Sequence, residues 1–281
     1  MSEVIEREHI YQAEATALLG TLQLPLEAEI PAQAYVELPE DGGYRTQRER
    51  EFRLESVLSY RSAYAQVAGN REVKPGHGWS TLATAVVEGL NMLDVVTADR
   101  VVAQISTEHP LIGYVPSVTF LGTRFENLRI GGHPVKLDMD LGIMGAKPEN
   151  DAPYLKDAGF MGRVARQREC LGKGDVLPAD VAERYNRSPL KFENGETVEC
   201  SLVNQAEGSY PGRSFGHVIE VPHFGLIYLA TLRVEQSDFQ AGTGIPKRTT
   251  IRLTMIDLRM GCVATGEAGV GAAVVNGHGK P

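Results

Sequence analysis

The chain has little of what most often announces chemistry. Its three cysteines, Cys170, Cys200 and Cys262, are an odd number at wide spacing, which neither builds a disulfide framework nor supplies a paired metal clip. They read as buried apolar filler. No window approaches the about 20 consecutive apolar residues that span a bilayer, so insertion as a membrane helix is excluded. Gly-x-x-x-x-Gly-Lys is missing, and with it the commonest nucleotide-binding spelling. Positive charge is also short. With 28 basic against 36 acidic residues and a net charge of -8, a nucleic-acid partner is disfavoured, because backbone binding rests on clustered Lys and Arg. The arginine-rich residues 45–53 are interleaved with Glu49 and Glu51 and read as a solvated, self-paired face.

What is present is ordinary globular composition, with 42% hydrophobic and 23% charged residues in a chain of 281. That length suits one large β domain or two smaller ones. The opening residues carry Glu3, Glu6, Arg7, Glu8 and His9 without the apolar run of a secretory signal. This predicts a cytoplasmic protein, with export by a signal-less route left open.

Residues 95–141 are the most informative stretch. Val135, Leu137, Met139 and Leu141 alternate with Lys136, Asp138 and Asp140, the period of two that puts one strand face in a core and the other in water. Residues 13–24 read either as a short Ala-rich helix ended at Gly20 or as a first strand, the strand being preferred. Strands are expected over 28–38 as an edge-like segment punctuated by Pro25, Pro31 and Pro39, and over 54–67 with Leu58, Tyr60 and Tyr64 on one parity. Asp41-Gly42-Gly43 reads as a turn and 74–78 as a loop. Two more strands follow over 81–87 and 95–105, with Gly89 between them. Residues 115–121, 125–130 and 135–141 then have the signature of a meander. β character returns over 197–204, 217–221, 226–234 and 249–260. The segment 226–234 is apolar on both parities, as in a strand covered on two faces. Ile251 and Leu253 share one parity, while Ile256, Leu258 and Met260 share the other, which predicts a β-bulge near Met255. The glycine-rich residues 261–281 read either as a final strand with a frayed end or as a segment that pairs with another subunit.

Between the two β-rich parts, 1–145 and 191–281, lies an insertion at about 146–190 with helix-like pieces over 154–171 and 179–185. Leu155, Phe160, Val164 and Leu171 share an apolar side, and Arg163, Arg166, Gln167 and Arg168 are expected in water. The insertion is expected to pack on one end of the sheets, with a lid or an inter-subunit arm as alternatives.

Candidate chemical groups do not add up to a site. His217, Glu220 and His223 lie on a strand pattern, where the two histidines are about 20 Å apart and Glu220 faces the other way, so they cannot share a metal. Pro222 also argues against a helix there. Asp138 and Asp140 point the same way, with His133 in the preceding turn, which would suit a hard cation or an acid and base pair; a solvated strand face is the plainer account. Asp94, Asp99 and Glu108 stay unassigned. Gly266, Gly269 and Gly271 have no βαβ unit after them, which removes a dinucleotide reading. Trp79 beside His77, Tyr114 and Tyr210 with Arg213 could present aromatic groups for a carbohydrate or protein contact, or cap the ends of a β core.

Val95-Val96-Thr97-Ala98-Asp99, then Ser117-Val118-Thr119-Phe120-Leu121-Gly122 and Phe125-Glu126-Asn127-Leu128-Arg129-Ile130-Gly131-Gly132 resemble strands of choice-of-anchor bacterial surface proteins. The likeness covers about residues 80–141 and, less closely, 249–275. It implies a β-rich protein without an established catalytic role. The chain departs from that family in having no signal, no anchor, and an insertion at 146–186.

The expectation is therefore a mainly β protein, an antiparallel sandwich or barrel-like core with a small helical insertion. Its expected role is that of a non-catalytic structural or assembly subunit that partners copies of itself. A small-molecule or carbohydrate binding module is the first alternative, and an enzyme using strand-borne carboxylates such as Asp138 and Asp140 the second. No cofactor or metal is expected, and catalytic residues stay unassigned.

Overall fold

The computed structural model describes residues 9–24, 27–71, 78–171, 176–186, 189–192, 195–237, 248–261, 265–276 and 278–279. In chain order the strands are β1 (Ala13–Leu24), β2 (Ala28–Glu37), β3 (Gly43–Glu49), β4 (Phe52–Leu54), β5 (Leu58–Tyr60), β6 (Ser62–Arg71), β7 (Trp79–Met92) and β8 (Val96–His109). The short β9 (Ser117–Thr119), β10 (Arg124–Glu126), β11 (Arg129–Ile130) and β12 (Lys136–Met139) precede helices α1 (Ala158–Leu171) and α2 (Ala179–Asn186). After them come β13 (Leu190–Phe192), β14 (Gly195–Ser201), β15 (Val203–Glu207), β16 (Arg213–Phe215), β17 (Val218–Val221), β18 (Gly225–Ser237), β19 (Arg248–Gly261) and β20 (Thr265–Asn276).

Most of these strands form two large antiparallel sheets, and β12 pairs with β15 in a separate two-stranded one. The first runs β3-β6-β7-β8. The second runs β13-β14-β18-β19-β20-β1-β2, with β17 also on β18. β1, β19 and β20 of the second sheet lie across β7 and β8 of the first, so the fold is a β-sandwich. Ala83, Ala85 and Val87 from β7, Val101, Ala103 and Ile105 from β8, and Leu253, Ile256, Val270 and Ala273 from the second sheet fill its centre. The many alanines let the sheets approach closely, and long aliphatic residues interdigitate between them.

Strand β20 is central to the second sheet. β20 pairs with β19 on one side and β1 on the other, so residues 265–276 complete the sheet of their own chain and are not a free segment for a neighbour. Residues 28–37 do form an edge strand, paired among the described residues with β1 alone.

Four local expectations need correction. Gly89 does not separate two strands: it lies inside β7, and the chain reverses at Leu93 and Asp94, both at positive φ (53° and 55°), the geometry of a tight hairpin. β9, β10 and β11 are not a meander but pair one after another along the same strand, β8. Trp79 does not present an open aromatic face for a contact: it opens β7, is buried, and stacks on His9 at 4.9 Å between ring centroids. Tyr64 does not share a core face with Leu58 and Tyr60, because beyond Arg61 the buried parity passes to Ala63, Ala65 and Val67.

A similar switch of parity occurs at Met255, without a bulge. Leu229, Ile256, Val270 and Leu18 pair in one row across four strands, and Thr231, Thr254, Ala272 and Thr16 pair in the second row on, with no shift of register between them. Between the rows lie Ala230, Met255, Gly271 and Ala17. Ala230 and Gly271, and Ala34 on the edge strand, take left-handed backbone at φ 46°, 63° and 48°. The alternation turns over at this crease in every strand at once, so Ile251 and Leu253 on one side and Ile256 and Leu258 on the other all reach the same core. No residue is inserted, so neighbouring strands stay in step.

Helix α1 begins at Asp157, whose carboxylate accepts the Phe160 N–H at 2.6 Å. Of the insertion, Leu155, Phe160 and Val164 join the main core, while Leu171 and α2 cover the outer face of the second sheet. Leu226 and Tyr228 of β18 point outward and join Phe215, Val218, Leu171, Val181 and Tyr185 in a second, smaller core. Ile227 and Leu229 point inward to the main one. This is why both parities of β18 are apolar.

Candidate functional site

Under α2, on the outer face of the second sheet, lies a cleft of about 470 Å³ lined by residues that include Asp180, Arg184, Leu190, Thr197, Glu199, Tyr228, Arg233 and Arg259. Its floor is built by cross-strand pairing. Glu199 of β14 stands opposite Arg233 of β18, Tyr228 of β18 opposite Asp257 of β19, and Arg259 of β19 opposite Glu267 of β20. The charged residues thus step diagonally over four strands, in different rows of the ladder.

Arg184 reaches down from the helix to the middle of that diagonal. Its Nε donates to Glu199 Oε1 at 2.5 Å and its Nη1 to Asp257 Oδ2 at 2.8 Å, with the guanidinium 4.0 Å over the Tyr228 ring. Burial works against the charge on Arg184, but Glu199 and Asp257 outweigh it and hold the guanidinium ionised well beyond its ordinary range. Arg233 approaches Glu199 at 3.5 Å and Arg259 approaches Asp257 at 3.7 Å, both side chains about half exposed. Arg259 also bonds Glu267.

The next helical residue points the other way, into the small core. The Tyr185 hydroxyl lies 2.5 Å from His217 Nε2. Burial, with help from the Arg184 charge, pushes the His217 pKa down to about 3, so the ring is neutral. Burial and the Glu199 charge push Tyr185 far above its usual range. The Tyr185 hydroxyl and His217 Nε2 share one hydrogen bond between uncharged groups, and Nδ1 has no partner among the described residues. Burial likewise raises the Cys200 thiol well above normal. The buried ionisable groups here keep their uncharged forms across the neutral range, and the charged ones are neutralised by one another. Such an arrangement fixes a helix to a sheet; it does not leave a proton donor and acceptor poised near neutral pH.

Helix α1 is fastened by similar means, against expectation. Arg163 donates to the Ile143 and Met144 carbonyls at 2.6 and 2.8 Å. Gln167 is buried, and Arg168 donates to the Glu199 carbonyl. Only Arg166 of the four expected polar residues is exposed.

The residues singled out from sequence are dispersed. His217 is buried, Glu220 pairs with Arg213, and His223 sits in a turn at φ 62°. Asp138 meets Asn204, and Asp140 accepts the Gly142 N–H. His133 is exposed in a two-residue strand beside Ile130. Asp94 bonds Asn91, and Asp99 accepts from Asn127. Glu108 lies in β8 opposite Ser80. Tyr114 gives its N–H to Asp151, while Tyr210 is buried with its hydroxyl on the Ala206 carbonyl. Cys200 is buried and Cys170 partly so. Cys262 and His77, with residues 74–77 of the expected loop, lie outside the described residues. Among the described residues, no group of three or more His, Cys, Asp or Glu could hold a metal ion, and no helix is long and apolar enough to cross a membrane.

Fold and cleft together define a mainly β sandwich with a helical cover locked to its outer face by an arginine. The chain belongs to the family described as Domain of unknown function (DUF8256), whose model matches residues 9–235. No curated protein and no solved structure matches it.

Proposed function

We propose that the protein is a non-catalytic structural unit that works by associating with copies of itself. The observation that carries this reading is the open edge of the first sheet. Among the described residues β3 pairs only with β6, and residues 43–48 are exposed. An open strand edge offers a row of backbone donors and acceptors that another strand can satisfy. The internally satisfied cluster around Arg184 supports the non-catalytic half of the reading. The resemblance of residues 80–141 to choice-of-anchor surface proteins agrees with it. Light scattering on the full-length chain, with negative-stain images of the same fraction, tests it. Particles at multiples of 30.6 kDa are expected; a monomer at every concentration would overturn the reading.

The cleft favours a second reading, a binding module for a small polar ligand. Arg233 and Arg259 keep guanidinium surface exposed beside Leu190 and Thr197, which suits a carboxylate or a sugar acid. A thermal-shift screen of such compounds decides it. A monomer stabilised by one of them, and no longer so in an Arg233→Ala variant, would put binding ahead of assembly.

A further inference from the structure

The edge strand β3 carries a charge pattern that is complementary to itself. In sequence it reads Gly43-Tyr44-Arg45-Thr46-Gln47-Arg48-Glu49. Laid antiparallel against a second copy about a two-fold axis at Gln47, it places Arg45 opposite Glu49 twice, Thr46 opposite Arg48 twice, and Gln47 opposite its own mate. Tyr44 then meets Arg50 of the other strand, a guanidinium and an aromatic ring. Neighbouring registers do worse. An axis at Thr46 sets Arg45 against Gln47 and Tyr44 against Arg48 and forms no ion pair, and an axis at Arg48 sets that arginine against itself. Directly opposed like charges destabilise a strand pair and unlike charges stabilise it, so the side chains select one register.

Position agrees with pattern. Arg45, Gln47 and Glu49 share the face that Val67, Ala65 and Ala63 present to the core, yet Arg45 and Gln47 are exposed and Glu49 only partly covered. In the single chain these groups make short-range bonds, Arg45 to the Tyr44 carbonyl and Gln47 to the Glu49 carboxylate, which a facing strand could replace. The other long edge is less suited, because β2 contains Pro31 and the left-handed Ala34. The edge strand β13 has three residues. Charge on an edge repels strands of unrelated sequence; here the same charges fit a second copy.

We infer that two copies of this chain join edge to edge through β3, antiparallel and centred on Gln47, so that the first sheet continues from one subunit into the other. The inference rests on the assembly reading above and gives it a surface. An edge of this length is a small interface, so the association is concentration-dependent, not permanent.

Light scattering or sedimentation across a concentration series of the full-length chain tests it, with Arg45→Glu and the swap Arg45→Glu/Glu49→Arg, each checked for fold by circular dichroism. The wild-type mass is expected to rise from 30.6 kDa toward twice that value. Arg45→Glu, which sets two pairs of like charges face to face, should raise the half-association concentration by about tenfold or more, and the swap should restore it. A wild-type chain that stays monomeric overturns both this pairing and the assembly reading. Assembly that Arg45→Glu leaves untouched, or that the swap fails to restore, overturns the pairing and leaves the assembly reading standing.

Discussion

The side-chain amide of Gln167 holds the backbone of Ser201 from both sides, donating to its carbonyl at 2.9 Å and accepting its N–H at 2.8 Å. The same Nε2 also reaches the Val203 carbonyl at 3.3 Å. These contacts sit where β14 ends and β15 begins, so α1 supplies the bonds that the interrupted strand cannot make for itself.

Replacing Gln167 with Leu should therefore cost more than a helix-surface change. It leaves the Ser201 N–H and C=O buried without partners, at about 1–3 kcal/mol for each group. Gln167→Glu keeps the shape and the acceptor but turns a carboxylate toward two carbonyls, and should be at least as costly. Urea unfolding of both variants checks this. A loss under about 0.5 kcal/mol, the range of ordinary surface substitutions, would mean that water satisfies the strand ends.

Arg184 should matter first for the insertion and only then for the whole protein. Its removal takes from Glu199 and Asp257, whose side chains are 10% and 17% exposed, a closer arginine contact than those of Arg233 and Arg259. That should cost less than the about 3–5 kcal/mol of a buried charge left wholly uncompensated. Because α2 packs on the small outer core and not the main one, the loss should appear as faster hydrogen exchange in residues 179–186, with β7 and β8 still protected. Arg184→Lys keeps the charge but not the fork that spans two carboxylates, and should recover only part of the protection. Equal acceleration throughout the sandwich would refute the separate-cover description.

Acid sensitivity should centre on His217. Its folded pKa lies near 3, against an ordinary value near 6.5. Between those limits the unfolded chain takes up a proton that the folded ring refuses. Stability therefore falls as pH drops from about 6.5 toward 3, and His217 contributes no pH dependence above that window. The shift corresponds to a loss on the order of several kcal/mol at the acid end. In His217→Gln, an amide that does not titrate can still hydrogen-bond the Tyr185 hydroxyl, so its stability should decline less steeply over the window. Parallel curves for the two proteins would show that other groups govern acid unfolding.

The two-sheet core was legible because long strands carry their burial in an alternating pattern, and the doubly apolar 226–234 announced a second cover. The cover's attachments were not. A periodic pattern assigns Gln167 and Arg163 to the polar side of a helix, but it cannot see that a carbonyl waits there instead of water. Arg184 and its partners lie 15 and 73 positions apart, and only the order of strands β14, β18 and β19 brings them together. The parity switch at Met255 was readable, whereas its cause was not, since a bulge and a crease leave the same trace in one strand. They differ in the neighbours: a bulge shifts the register of one strand, while a crease needs matching residues across the sheet.

The crease makes Gly271 the position where that distinction can be tested. Its φ of +63° is one that side chains rarely adopt, and a Cβ there would lie 3.3 Å from Met255 Cγ and 3.6 Å from Val101 Cγ1 of the facing sheet. Gly271→Ala must therefore hold a left-handed alanine, at about 1–2 kcal/mol, and press on Met255 in the middle of the core. A partial gain from restricting the unfolded chain, about 0.4–1 kcal/mol, does not offset both terms. The expected outcome is a lower thermal midpoint with the strand content unchanged. If Gly271→Ala proved neutral or stabilising, the backbone at 271 would have to relax to ordinary extended geometry. The alternation of β20 would then pass straight through, and Ala273 and Val275 would no longer share a core face with Ala268 and Val270.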